Sequence, residues 1–258
     1  MSEKLKLSML QLDLAWQDAA ANRAAIEQQL ETVSGRDLIV LPEMFSTGFD
    51  MKPAGIAEGT DGETVAWMKS IAQQHDAVIC GSMMMQVDNK YVNRFLWVTP
   101  KGEVSHYDKR HLFKFAGEDA QYSAGTERAI FQLGQWRIAP FICFDLRFPV
   151  WSRNLDCQYD VALYVANWPK ARSLQWKSLV PARAIENQSY VVALNRVGVD
   201  GNEVAYSGDS MVVDPLGETL LYAANKEVVL NIELDLPELL EVRRRFPFLQ
   251  EADGFTLA

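Results

Sequence analysis

The sequence predicts an α/β fold with mixed sheets, and three observations carry that reading. Short apolar runs of strand length alternate with amphipathic helical segments along most of the chain. Pro100-Lys101-Gly102 and Pro215-Leu216-Gly217 sit between strand-like runs as hairpin turns would, so the sheets are not purely parallel. With 48% hydrophobic residues in 258, the chain can bury a sizeable core. No Gly/Ser-rich or Pro-rich tract, charge block or internal repeat divides it, so residues 1–258 read as a single domain.

The elements follow in order. Met1-Ser2-Glu3-Lys4-Leu5-Lys6 leads into an alternating pattern, Leu5, Leu7, Met9, Leu12 and Leu14, that predicts a first strand. Ala25, Ile26, Leu30 and Val33 recur at helical spacing, and Gly35 stands where it could end that helix. Asp37-Leu38-Ile39-Val40-Leu41 reads as a buried strand that stops at Pro42-Glu43. Thr60-Asp61-Gly62-Glu63 has the form of a capping box opening a helix through Val65, Met68 and Ile71. Ala77–Gly81, Val92–Val98 and Trp136–Ile142 read as strands, with a helical segment after Pro149. Tyr159–Ala166 is a further apolar strand. Ser173 is placed to cap a helix through Trp176, Leu179, Val180 and Ile185. Strands at Tyr190–Asn195, Ser210–Asp214 and Val228–Leu234 complete the series.

A net charge of -9 and the lack of a basic stripe argue against nucleic acid as partner. The densest basic run, Arg243-Arg244-Arg245, falls late in a helical segment, where it suits the negative end of the helix dipole. No apolar run is long enough to span a bilayer, and no signal-peptide core opens the chain. Cys80, Cys143 and Cys157 are odd in number and lack CxxC spacing, which fits free thiols in the cytoplasm.

Three reactive side chains stand at or near the ends of predicted strands: Glu43 after Leu38–Leu41, Lys109 after Val104–Tyr107, and Cys143 after Arg137–Ile142. Side chains at the carboxyl ends of strands can converge while the sheet holds them rigid. Cys143 reads equally as a small buried hydrophobe or as a thiol at a strand-to-helix turn. Glu43, in Val-Leu-Pro-Glu-Met-Phe, is bracketed by apolar residues, and partial burial would suit a general base. Lys109 lies in Tyr107-Asp108-Lys109-Arg110-His111-Leu112-Phe113, where a solvated charge run is the plain alternative and nothing local separates it from Arg110. HExxH, CxxC, GxSxG, phosphate-loop and dinucleotide motifs are missing. What stays open is a thiol enzyme without histidine, a Cys–His enzyme using His111, or a binding or scaffold protein.

In this order the motifs resemble the nitrilase superfamily of carbon–nitrogen hydrolases. Leu41-Pro42-Glu43-Met44 is similar to its base motif, Tyr107–Phe113 to its lysine motif and Phe141-Ile142-Cys143-Phe144-Asp145-Leu146-Arg147-Phe148-Pro149 to its nucleophile motif. Arg183-Ala184-Ile185-Glu186-Asn187 and Gly208–Gly217 match further, so the likeness covers nearly the whole chain. Glu-Met-Phe-Ser-Thr-Gly-Phe and Cys-Phe-Asp-Leu-Arg-Phe-Pro look closest to the bacterial omega-amidases.

The resemblance implies a four-layer α-β-β-α sandwich, a homodimer joined through a helical face and no cofactor or metal. It also implies an amidase releasing ammonia from 2-oxoglutaramate, 2-oxosuccinamate and related short ω-amides. Cys143 would be nucleophile, Glu43 base and Lys109 electrostatic partner, with Glu118 supporting the lysine and the Phe144 N–H completing an oxyanion hole. Asp145 and Arg147 would brace the turn after the nucleophile. A substrate carboxylate calls for a cation, and Arg172, with Trp168 in the same loop and Lys114 behind it, is the expected binder. Rivals within the superfamily are a deaminated glutathione amidase, an N-carbamoyl amidohydrolase and a nitrilase.

Overall fold

The computed structural model describes residues 3–256, so the Met1-Ser2 start of the strand reading lies outside the described residues. In chain order the strands are β1 (Lys4–Gln11), β2 (Leu38–Val40), β3 (Val78–Val87), β4 (Lys90–Val98), β5 (Val104–Asp108), β6 (Phe131–Leu133) and β7 (Trp136–Ile142). There follow β8 (Val161–Ala166), β9 (Tyr190–Asn195), β10 (Val197–Val199), β11 (Ala205–Val213), β12 (Thr219–Ala224) and β13 (Val228–Asp235). The helices are α1 (Ala19–Leu30), α2 (Glu63–His75), α3 (Pro149–Ser152), α4 (Ser173–Asn187) and α5 (Leu236–Arg245).

The strands form two mixed sheets, one ordered β13-β1-β2-β3-β4-β5 and the other β10-β11-β9-β8-β7-β6 with β12 also paired to β11. Period-two alternation explains how they stack. Leu7, Met9, Val40 and Cys80 turn toward the second sheet and share one core with Ile138, Leu163, Val192 and Val212. Their neighbours Leu10, Ile39, Leu41 and Ile79 turn the other way, against Ile26 and Leu30 of α1 and Val65, Met68 and Ile71 of α2. Trp176, Val180 and Ala184 of α4 close the far side of the second sheet. The result is the expected order of layers, helix, sheet, sheet, helix.

Differences from the sequence reading have local causes. The apparent capping box does not form. Gly62 is the N-cap of α2, and the Glu58 carboxylate takes the Thr64 N–H at 2.8 Å and the Thr64 hydroxyl instead. Ser173 is the first residue of α4, and its hydroxyl donates to Asp209 at 2.8 Å. Helix α1 ends at Leu30, ahead of Gly35, and begins six residues before Ala25 because Asp18 caps it, accepting the Ala21 N–H at 2.9 Å. Strands β6 and β10 are too short to show a period, and β12 lies mostly exposed at an edge. Arg243, Arg244 and Arg245 lie in the last turn of α5, as the dipole reading expects, and Arg243 has a further duty: it donates to buried Asp160 at 2.8 Å and to the Tyr159 and Gln188 carbonyls, pinning α5 to the second sheet. Arg244 pairs with Glu241, and Arg245 lies over Phe246. No helix among the described residues is long and apolar enough to cross a membrane.

Candidate active site

The parallel pairings β1-β2-β3 and β7-β8-β9 bring several strand ends to one edge of the stacked sheets. Glu43 follows β2, Lys109 follows β5, Cys143 follows β7 and Asn167 follows β8. Cys143 sits at the turn from β7 into a 3-10 helix, Cys143–Arg147, with a φ of 44°. A non-glycine residue in that region is strained and persists only where its surroundings hold it.

The holding groups lie directly behind the turn. The Asp145 carboxylate accepts the Ile142 N–H at 3.0 Å, the Tyr107 hydroxyl at 2.7 Å and the His111 N–H at 3.0 Å. It also lies 2.8 Å from His111 Nδ1. Trp151 Nε1 donates to the Tyr107 hydroxyl at 3.0 Å. Arg183 grips the Leu146 carbonyl from the other side with two donors, at 3.0 and 2.7 Å. Asp145 thus braces the turn, as the resemblance implies, but Arg147 does not: Arg183 has that place.

In front of the turn lies a buried ionic cluster. Glu43 and Glu118 have 0% and Lys109 1% of their surface exposed. Lys109 Nζ donates to Glu43 Oε1 at 3.0 Å and to the Glu118 oxygens at 2.9 and 3.0 Å. Burial alone would lower the lysine pKa, but the charges of Glu118 and Glu43 outweigh it and hold the ammonium well above its usual value. Burial raises the Glu118 carboxyl, with Lys109 opposing and Glu43 adding to the rise. Glu118 is fixed further by the Phe113 N–H at 2.5 Å. Asn93 Nδ2 reaches Glu43 Oε1 at 2.8 Å, and the Asn167 N–H reaches Oε2 at 2.7 Å.

A cavity of about 380 Å³ opens over this cluster, with Lys109, Cys143 and Asn167 among its lining residues. Phe113, Phe144 and Trp168 supply aromatic walls, and Asp200, Asn202, Val204 and Tyr206, from the β10–β11 hairpin, line it as well. Arg147 and Arg172 both line it, their guanidiniums over Trp168 at 4.9 Å and Phe113 at 5.1 Å. The structure therefore brings together Glu43, Lys109, Cys143, Glu118, Phe144, Trp168 and Arg172. It does not bring Lys114, which is exposed on the 3-10 turn Lys114–Ala116 and outside the lining. His111 is stacked on Phe148 at 3.7 Å and committed to Asp145, away from the cavity lining.

Sequence reasoning missed Asn93, Asn167, Asn195 and Arg147 as parts of the site. Asn195 accepts the Trp168 N–H at 2.8 Å and donates to the Trp168 carbonyl at 3.0 Å, which fixes the loop carrying Asn167. A legible signal existed for Asn93: a neutral amide between Val92 and the run Phe95-Leu96-Trp97 in a strand needs a buried partner.

This fold and site, a cysteine at a strained strand end beside a buried Glu–Lys–Glu cluster, define a carbon–nitrogen hydrolase of nitrilase type. The carbon–nitrogen hydrolase family model matches residues 6–244, and the chain belongs to that family. It is 51% identical over 254 residues to omega-amidase YafV of Escherichia coli K12, covering 98% of each chain. It is 32% identical to the 2-oxoglutaramate amidase of Bacillus subtilis, over 96% of this chain and 97% of the other. The crystal structure of XC1258 from Xanthomonas campestris, a CN-hydrolase superfamily protein with an arsenic adduct in the active site, superposes with a TM-score of 0.97. That pair shares 43% identity over 100% of both chains.

Burial raises the Cys143 thiol pKa well above its usual value, and the Glu43 carboxylate raises it further, with Lys109 opposing. The raised value means the folded protein keeps the proton where a free thiol would lose it. The expected result is that no Cys143-dependent thiolate absorbance appears as pH rises through about 8.5, the range of a free thiol. A thiolate present at neutral pH in the parent protein and absent in Cys143→Ala would contradict this.

Proposed function

We propose that this protein is a cysteine-dependent ω-amidase, one catalytic domain that releases ammonia from the terminal amide of short ω-amides of 2-oxo acids such as 2-oxoglutaramate. The observation that carries the reading is the Lys109 ammonium held between Glu43 and Glu118 on the floor of the cavity that Cys143 lines. The 51% identity to an omega-amidase over nearly the whole chain points to the same substrates.

In this reading Glu43 accepts the thiol proton of Cys143 as sulfur attacks the amide carbon. Lys109 and the Phe144 N–H hold the oxyanion, donors of a kind whose loss costs on the order of 10²–10³ in rate. Glu43 returns the proton to the departing nitrogen, ammonia leaves and a thioester remains on Cys143. Water, deprotonated by the same carboxylate, hydrolyses it. Glu118 orients Lys109 through its two contacts with Nζ.

Arg147 and Arg172 suit the substrate carboxylate. Among the described residues neither forms an ion pair with an acidic side chain. Burial lowers the Arg147 pKa and the like charge of Arg172 lowers it further, a repulsion that a bound anion relieves. The outward side of α4 exposes Leu174 and Ile185, and Ile185 lies against Gly217 of the turn into β12, which adds exposed Leu220 and Tyr222. This apolar surface fits a homodimer contact, and free Cys80, Cys143 and Cys157 fit the cytoplasm.

Cys143→Ala is expected to fold and to lose ammonia release from 2-oxoglutaramate. Mass spectrometry of the parent during turnover should find the acyl group on Cys143. Turnover by the alanine protein would refute the nucleophile. Arg147→Ala and Arg172→Ala should each raise KM about 10- to 100-fold, as loss of a charged hydrogen bond worth about 1.5–3 kcal/mol implies, with kcat little changed. An unaltered KM in both would remove the carboxylate assignment. Light scattering should give twice the chain mass and fractionation the cytoplasm; a monomer, or recovery elsewhere, would overturn those parts.

A further inference from the structure

Both oxygens of the Glu43 carboxylate are engaged within the protein itself. Oε1 accepts from Asn93 Nδ2 at 2.8 Å and from Lys109 Nζ at 3.0 Å. Oε2 accepts the Asn167 N–H at 2.7 Å. Asn167 Nδ2 stands 3.4 Å from Oε2, but its short bond, 2.7 Å, goes to the Glu43 backbone carbonyl. A carboxylate offers about four lone-pair positions, two on each oxygen. Two donors therefore fill Oε1 at short distance, while on Oε2 only the Asn167 N–H is short and the second donor, Asn167 Nδ2, is long.

Cys143 Sγ lies 3.9 Å from the carbonyl oxygen of Asn167, the residue whose N–H holds Oε2. Asn167 thus touches both the sulfur and Oε2, while Asn93 and Lys109 share Oε1.

We propose that Asn93 is a positioning residue: together with Lys109 it closes Oε1, so that the protons the base handles travel through Oε2, whose second donor is long. The inference rests on the reading of Glu43 as general base. The thiol proton, the proton given to ammonia and the proton taken from water then pass through one oxygen. With Oε1 open, a proton could rest on the oxygen facing Lys109 instead.

The residue type fits this duty. An amide adds donors without adding charge to a cluster that already holds Glu43, Lys109 and Glu118. The Asn93 backbone carbonyl also accepts the Lys109 N–H at 3.0 Å, so one residue of β4 sets both the base and the lysine. Pairing of Asn93 with Met84 across β3 and β4 fixes its height in the sheet. Its Oδ1 is buried without a protein partner among the described residues, a burden of about 1–3 kcal/mol that packing alone does not explain.

The charged and titratable groups acting on Glu43 are Lys109 from the end of β5, Glu118 and Tyr122 from the segment after it, and Cys143 from the end of β7. Removing one donor from the carboxylate makes it hold a proton more tightly. Asn93→Ala is therefore expected to lower kcat about 10- to 100-fold with KM within about twofold. The acidic limb of its kcat/KM profile should move up by about one pH unit or more. Asn93→Asp keeps the shape, but the introduced carboxyl donates only while protonated, so activity should fall as pH rises through its titration.

Parent-like kcat and pH profiles in both variants would overturn the inference. So would a lowered kcat with an unmoved acidic limb, which is what a packing role alone produces. Should Asn93→Ala fail to fold, the isosteric Asn93→Asp decides by its profile. A parent that forms no acyl-enzyme on Cys143 would sink the amidase mechanism itself, a result separable from unresponsive Asn93 variants in an enzyme that acylates normally.

Discussion

One ammonium between two carboxylates, all three out of water, is the constraint around which the molecule is arranged. Taking such charges from water costs several kcal/mol per ion, and only close pairing with further hydrogen bonds returns it. Lys109 meets Glu43 and Glu118 within 3.0 Å, and the spare lone pairs are filled by Asn93, Asn167 and the Phe113 N–H. Such a cluster tolerates little movement, since any partner that withdraws leaves the others charged and buried. That accounts for the seat of Glu43 and Lys109 at the ends of strands in stacked sheets, where hydrogen-bonded ladders hold them from behind, and for the Phe113 N–H that pins Glu118 in its 3-10 turn.

Burial and the same cluster both act on the thiol. Burial is the larger influence raising the Cys143 pKa, the Glu43 and Glu118 carboxylates add to the rise, and the Lys109 ammonium opposes it. A Cys–His pair solves the problem differently, by placing a cation beside the sulfur. Here His111, beside the Cys143 turn, is engaged by Asp145 and stacked on Phe148, shaping the turn from behind.

How much of this could be read in the chain depends on which residues carry a pattern. The alternation of Leu7, Met9, Val40 and Cys80 against Leu10, Ile39, Leu41 and Ile79 yields the layers directly, because period two leaves one face for each neighbour. Glu43 stood out through its apolar surroundings. Lys109 and Arg110 looked alike locally, yet alternation from buried Tyr107 places Lys109, not Arg110, on the inward face. Asn93, Asn167 and Asn195 carry no charge and no motif by themselves; their roles exist only once strands distant in sequence lie side by side. The cap of α2 was misread for a similar reason: Glu58 lies before the apparent box, and a loop must fold back for its carboxylate to arrive. The second duty of Arg243 was likewise out of sight, because its partner Asp160 lies 83 residues away.

Net charge illustrates the limit of composition most sharply. The chain carries -9, yet Lys52, Lys109, Arg147 and Arg172 line the cavity against Asp50 and Asp200. Asp50 and Asp200 line it, but their oxygens are occupied: Asp50 by Gln17 and the Lys52 N–H, Asp200 by the Asn202 and Val204 N–H groups and the Tyr206 hydroxyl. The side chains of Lys52, Arg147 and Arg172 line the same cavity with no carboxylate paired to them among the described residues. Cations left without a carboxylate in a cleft attract anions whatever the sign of the whole chain, so net charge alone does not say what a cavity can take.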